Sequence, residues 1–243
     1  MRPRANRVVI VGLSASGKTS LVRRLSTASG IAVIPEHNDW IGGSKNFPPV
    51  PKTVEEKKAK QRFFMNIDLN RERWAQDHSH LVDTIVADAD FLSPLAHNYA
   101  ERWLYPELDV YPWMVSEYSS ALLSGALTSA DLYIYLDVPT VTRRERRSVD
   151  VHRKRNDVFF SGPLPENMRR FYRSLLHETS ERASLPALWH DDALTVDATA
   201  QLLLNTLAKL PQATRLDVAR LAQMLGATVD DAPLSEEAER RGT

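Results

Sequence analysis

Apolar residues fall in short dense runs separated by polar stretches of helical length. Val8-Val-Ile-Val11 is a β-branched run without polar interruption, the composition of a strand buried on both faces. A glycine-containing turn follows, after which Leu21, Val22 and Leu25 recur at helical spacing. Ile31-Ala-Val-Ile34 repeats the strand pattern and is ended by Pro35. Residues 41–52, rich in Gly, Pro and Asn, read as loop. Thr53 and Glu56 form a capping-box pattern that opens a long polar helix to about His80. Leu81–Ala87 predicts a third strand, and Asp131–Leu136 a fourth. Helices are expected from near Ser93, over Pro112–Ser124, behind Pro139, and from near Pro165 to about Arg182. Ala193–Val196 reads as a weak fifth strand, with Asp197 as a candidate cap for the helix behind it.

Strands alternating with helices predict one α/β domain: a central parallel sheet with helices on both faces, three layers in all. The expected division is a main domain over 1–210, a helical extension over 211–229 with a small helix at Leu216–Leu225, and a flexible charged tail over 230–243.

Composition narrows the function. Among 243 residues, 31 basic and 31 acidic side chains balance, which argues against a general nucleic-acid or membrane-surface binder. The absence of cysteine excludes disulfides, thiolate nucleophiles and cysteine-ligated zinc. The first apolar run is too short for a signal peptide, and no run approaches the ~20 residues of a membrane span. A soluble, cytoplasmic protein is the expectation.

Gly12-Leu13-Ser14-Ala15-Ser16-Gly17-Lys18-Thr19 fits G-x-x-x-x-G-K-[ST], the phosphate-binding P-loop, with Ser20 next. Glycines let backbone N–H groups turn in around phosphate oxygens, and the helix that starts there presents its positive end. Lys18 can reach the β- and γ-phosphates, and the Thr19 hydroxyl can hold Mg²⁺. The four fixed positions would coincide by chance in about one such chain in a hundred. No Asn-Lys-x-Asp guanine-reading segment is present, and Asp137 after the fourth strand is a single acid, which weakens the GTPase and motor-ATPase readings.

Around this loop the chain resembles the deoxynucleoside kinases and thymidylate kinases. Glu36-His-Asn-Asp-Trp40 resembles the Glu-x-x-x-Trp element after the second strand; Asp88-Ala89-Asp90 resembles the Asp-Arg or Glu-Arg element after the third. Tyr135-Leu-Asp-Val-Pro139 with Glu145-Arg146 resembles the passage from the fourth strand to the lid. The resemblance spans about residues 7–200 and implies strand order 2-3-1-4-5, an arginine-bearing lid at about 143–162, ATP with Mg²⁺, and a dimer by analogy. It implies Glu36 as base on an acceptor hydroxyl and Trp40 as pocket wall. At Ala89 the chain departs from the family, which has arginine there. A phosphate on the acceptor would then face two carboxylates, so an uncharged hydroxyl acceptor is the expectation, unless Arg71 or Arg73 compensates.

Each candidate has a plainer account beside it. Glu36 and Asp88, at strand ends, suit a base and a metal support, or are solvated loop acids. Asp90 lines the acceptor site or caps the next helix. The basic cluster from Arg143 to Arg155 is a solvated helix face, or supplies phosphate ligands, of which Arg146 and Arg155 are the choices. Trp40 and Phe64 can stack on a flat substrate, although an aromatic on a long helix is more often core. The alternatives are a nucleoside monophosphate kinase, a kinase of an antibiotic or other metabolite, and a non-catalytic nucleotide-binding regulator.

Overall fold

In the computed structural model, described over residues 5–148, 159–160, 162–176, 187–191 (backbone only), 195–208 and 218–232, the first strand is the centre of everything else. Strand β1 (Asn6–Gly12) pairs in parallel with β3 (Thr84–Asp88) on one side and β4 (Leu132–Asp137) on the other. Beyond them lie β2 (Ile31–Ile34) and β5 (Ala187–Asp191), giving the parallel order β2-β3-β1-β4-β5. This is the order the resemblance implies. The fifth strand is a correction: it precedes the Ala193–Val196 run, and Val196 opens helix α8 (Val196–Leu207). Thr195, not Asp197, caps that helix, accepting from the Ala198 N–H at 3.2 Å.

Alternation along the strands explains the two cores. Val9, Val11, Ala87, Tyr133 and Tyr135 face one side, with α4 (Leu92–Glu101), α5 (Tyr111–Leu123), α7 (Pro163–Leu176) and α9 (Val218–Ala227). Val8, Ile10, Val86, Leu132, Ile134 and Leu136 face the other, against α1 (Lys18–Leu25) and α8. Both faces are covered, so the strands need continuous apolar runs. Buried Leu221 and Leu225 tie α9 into the first core, and the start of the expected tail is held, with Tyr99 Oη donating to Asp231 Oδ2 at 2.6 Å.

Helix α3 (Val54–His78) begins where the capping pattern predicts, with the Thr53 hydroxyl accepting from Glu56 N–H at 3.2 Å. Its buried stripe is largely polar: Lys57, Gln61, Asp68, Arg71 and Glu72 share it with Ile67 and Ala75 at helical spacing. Glu72 pairs with Arg7 of β1, which anchors the helix to the start of the central strand. Short α2 (His37–Trp40) follows β2, and α6 (Thr140–Ser148) follows β4. Among the described residues, no helix is long and apolar enough to cross a membrane.

Candidate active site

The loop between β1 and α1 owes its shape to three residues with positive φ. Gly12 (φ 149°) passes so close to β4 that a Cβ would lie 2.8 Å from the Leu136 carbonyl oxygen. Gly17 (φ 100°) turns the chain into α1, and Ala15 (φ 62°) holds a left-handed conformation without being glycine. Three cations converge on the loop. Lys18 Nζ donates to the Gly12 and Leu13 carbonyls at 3.0 and 3.1 Å. From α6, Arg146 Nη1 donates to Ser16 O at 3.0 Å, and fully buried Arg143 reaches Ser14 O at 3.4 Å. Anion-binding loop and lid helix are thereby joined directly.

At the end of β3, buried Asp88 accepts from the Thr19 hydroxyl at 2.7 Å through Oδ2. Its Oδ1 is buried and has no partner among the described residues. Burial pushes the Asp88 carboxyl up, against the pull of the Lys18 charge and the Thr19 hydrogen bond. A hydroxyl and a carboxylate oxygen with unmet capacity form a hard donor pair that suits Mg²⁺.

A cleft of about 1330 Å³ opens above these groups, against the ~300–1,000 Å³ of a usual small-ligand pocket. One end is the P-loop from Gly12 through Ser20 (Leu13 excepted, buried behind it), with Arg146 and Arg147. The other is walled by Glu36, His37, Phe47 and Phe64. Glu36 occupies the N-cap of α2, and next to it the His37 ring lies 2.7 Å from Asp68 Oδ1 by its Nε2. Burial alone would raise the Asp68 carboxyl, but the charges of His37 and Arg71 and the Tyr118 hydrogen bond hold it below its ordinary value. Phe64 meets Phe47 edge-on at 5.2 Å and His37 at 6.0 Å.

Three candidate residues sit elsewhere. Trp40 packs on Trp74 at 6.5 Å, against the core, and Phe47 and Phe64 form the aromatic wall instead. Arg71 is buried beneath the cleft and donates to the Asp88 and Ala89 carbonyls at 3.0 and 2.7 Å. Asp90 is buried too, accepting from Leu92 N–H and Tyr133 Oη, each at 3.0 Å, and burial pushes its carboxyl up to about 6. The picture of a phosphate facing two carboxylates is therefore corrected: neither Asp88 nor Asp90 lines the cleft, while Ala89 does. Arg155 lies outside the described residues. Sequence reasoning missed Phe47, His37 and the polar wall of α3. The signal for the last was the helical spacing of Lys57, Lys60, Gln61 and Phe64.

No family model and no curated protein matches the sequence. Solved structures do match in shape. The thymidylate kinase from Candida albicans superposes with a TM-score of 0.64 at 16% identity, over 86% of this chain and 93% of that one. The deoxyadenosine kinase from M. mycoides with bound dCTP gives 0.57 at 20% identity, over 84% of this chain and 100% of its own. The fold is that of the P-loop kinases. Within the P-loop kinase fold, the crevice outside the carboxyl ends of the parallel strands is where ligands sit, and Gly12, Glu36 and Ala89 all border the cleft there.

Proposed function

We propose that this protein is an ATP-dependent kinase that transfers the γ-phosphoryl group to a hydroxyl of a nucleoside or nucleoside-like acceptor. The observation that carries the reading is a single cleft bordered by the P-loop and Lys18 at one end and by Glu36 with an aromatic wall at the other. Phosphoryl transfer is largely a matter of positioning and charge neutralisation, and both halves of that task have groups here.

Lys18 holds the β- and γ-phosphates, and the Thr19 hydroxyl, oriented by buried Asp88 behind it, would hold Mg²⁺. When bound, the metal neutralises charge on the transferred group. Glu36 takes the proton of the acceptor hydroxyl, leaving the oxygen free to attack in line. Arg146, tied to the loop through Ser16, meets the charge that develops on the leaving phosphate, with Arg155 as a second donor. Closure of the lid excludes water that would otherwise take the phosphoryl group. Such an enzyme works in the cytoplasm, with its magnesium ATP.

Among the described residues, the cations that border the cleft are Lys18, Arg23, Lys57, Lys60, Arg146 and Arg147, and none is supplied from position 89. This supports an uncharged hydroxyl beside Glu36 over a phosphate. The test is ATP consumption with Mg²⁺ and nucleosides, nucleoside monophosphates or no acceptor. Turnover with nucleosides is expected. Turnover confined to monophosphates overturns the acceptor assignment, and silence with all while ATP binds overturns the kinase reading.

A further inference from the structure

The cleft does not end at Phe64. Helix α3 continues along its wall towards the helix N-terminus and presents Gln61, Lys60 and Lys57. At 1.5 Å per residue, Lys60 lies ~6 Å and Lys57 ~10 Å beyond Phe64 along the axis. Helix α4 supplies His97, Asn98 and Glu101 to the same cleft. Two amide oxygens there, Gln61 Oε1 and Asn98 Oδ1, are buried without a partner among the described residues.

The charges in this end do not cancel. Lys57, itself buried, lies 3.1 Å from Glu101 Oε2, and His97 Nδ1 lies 3.4 Å from the same oxygen. Burial alone would raise the Glu101 carboxyl, but the hydrogen bonds and charges of His97 and Lys57 overcome it and hold it at about 2. The one carboxylate that lines this end among the described residues is thus committed. Lys60 is half-buried on the same wall and has no hydrogen-bond or ion-pair partner among the described residues. A partly dehydrated ammonium in a concave site, with no counter-charge of its own, gains most from an anion brought by the ligand.

We infer that the acceptor carries an anionic group, of the carboxylate type, at the end remote from the hydroxyl that is phosphorylated, and that Lys60 binds it. The inference rests on the hydroxyl-kinase reading for the direction of the acceptor: hydroxyl at Glu36, flat body at Phe47 and Phe64, anion beyond. A neutral nucleoside fills the aromatic segment and leaves Lys60 facing water. A carboxylate on the far edge of the base, or of a comparable ring, reaches it. Lys60 is then a specificity residue, remote from the chemistry.

The probes are 2′-deoxyuridine and 5-carboxy-2′-deoxyuridine, compared as acceptors with magnesium ATP in the wild-type chain, Lys60→Met, Lys60→Arg and Lys58→Met. Lys58 pairs with Glu55 and does not border the cleft, so it controls for loss of surface charge. The expected result is a preference of about tenfold or more in kcat/KM for the carboxylated compound, the effect of one charge-assisted hydrogen bond. Lys60→Met should abolish it through KM with kcat unchanged, Lys60→Arg should retain it, and Lys58→Met should leave it intact. Equal or reversed preference in the wild type, or a preference that survives Lys60→Met, overturns the inference. If neither compound is turned over, calorimetric titration with a non-hydrolysable ATP analogue separates the two readings. Binding of the carboxylated compound alone, lost in Lys60→Met, upholds the anion site while the kinase reading falls. Binding of neither overturns both.

Discussion

Arg71 Nη2 donates to the carbonyl of Ala89 at 2.7 Å, and Ala89 holds a left-handed backbone (φ 63°) that residues with a Cβ rarely adopt. The same nitrogen donates to the Asp88 carbonyl at 3.0 Å, and the guanidinium lies 3.4 Å from Asp68 by its other terminal nitrogen. An arginine therefore does serve the turn after β3. It holds the backbone from beneath, where the resembling kinases have one in the chain position of Ala89 itself.

Removing that support should be costly. Arg71→Met leaves Asp68 buried with His37 and the Tyr118 hydroxyl as its remaining partners, and a loss of about 3–5 kcal/mol is expected from breaking a buried pair at one end. Arg71→Lys should recover little, because one ammonium cannot copy a fork that reaches two carbonyls with one nitrogen and Asp68 with the other. Urea unfolding of both variants checks this. A Lys variant as stable as the parent would mean the fork is not what matters.

The strain at Ala89 makes its own test. Ala89→Gly removes a left-handed penalty of ~1 kcal/mol and adds a similar entropy to the unfolded chain, so stability should shift by less than about 1 kcal/mol. Ala89→Val forces a β-branched residue into the same backbone and should destabilise by about 2 kcal/mol or more. Midpoints that coincide for the two variants would show that position 89 is not left-handed in solution.

Lys18→Ala should abolish phosphoryl transfer while leaving the circular dichroism spectrum unchanged, since its two hydrogen bonds are to loop carbonyls only. Glu36→Gln should lower kcat by a factor of about 100 or more with little change in the Kd for ATP, as expected for loss of a general base. Equal losses in turnover and ATP binding would make Glu36 a binding residue.

Acid should loosen the Lys57–Glu101–His97 cluster in a defined window. Glu101 is depressed from 4.5 to about 2, so its contribution to stability is complete above the unfolded value and is lost as pH falls through the folded one. Lys57 and His97 are the basic groups that face it. Comparing thermal midpoints of wild type and Glu101→Gln between pH 6 and pH 2 should show a difference that shrinks only below about 4.5. A difference that is independent of pH would mean the carboxylate's charge is not stabilising.

Legibility in the sequence followed the kind of burial each residue has. The P-loop could be read whole, because its constraints are local: glycines at fixed offsets between a β-branched strand and an amphipathic helix. The four strands with β-branched or aromatic runs were readable for the same reason. Strand β5, Ala-Leu-Trp-His-Asp, has no such run; its pairing with Tyr133–Asp137 of β4 makes it a strand. Helix α3 was legible as a helix from its cap, but its function was not, since five of the seven residues it buries are Lys57, Gln61, Asp68, Arg71 and Glu72. Hydrophobic periodicity cannot flag a buried face made of charges. The place of Trp40 just after a strand points to stacking on a ligand, yet Trp74 on α3 holds it against the core.

Helix α9 and the turn after it close the core that α4 and α5 share. Leu221 and Leu225 are fully buried there, Tyr111 Oη bonds the Thr228 hydroxyl, and Arg102 Nη1 donates to Val229 O at 2.8 Å. During synthesis the ribosome delivers α4 and α5 about a hundred residues before these partners. The faces of α4 and α5 that α9 covers therefore stay exposed on the nascent chain until residues 218–229 have been made.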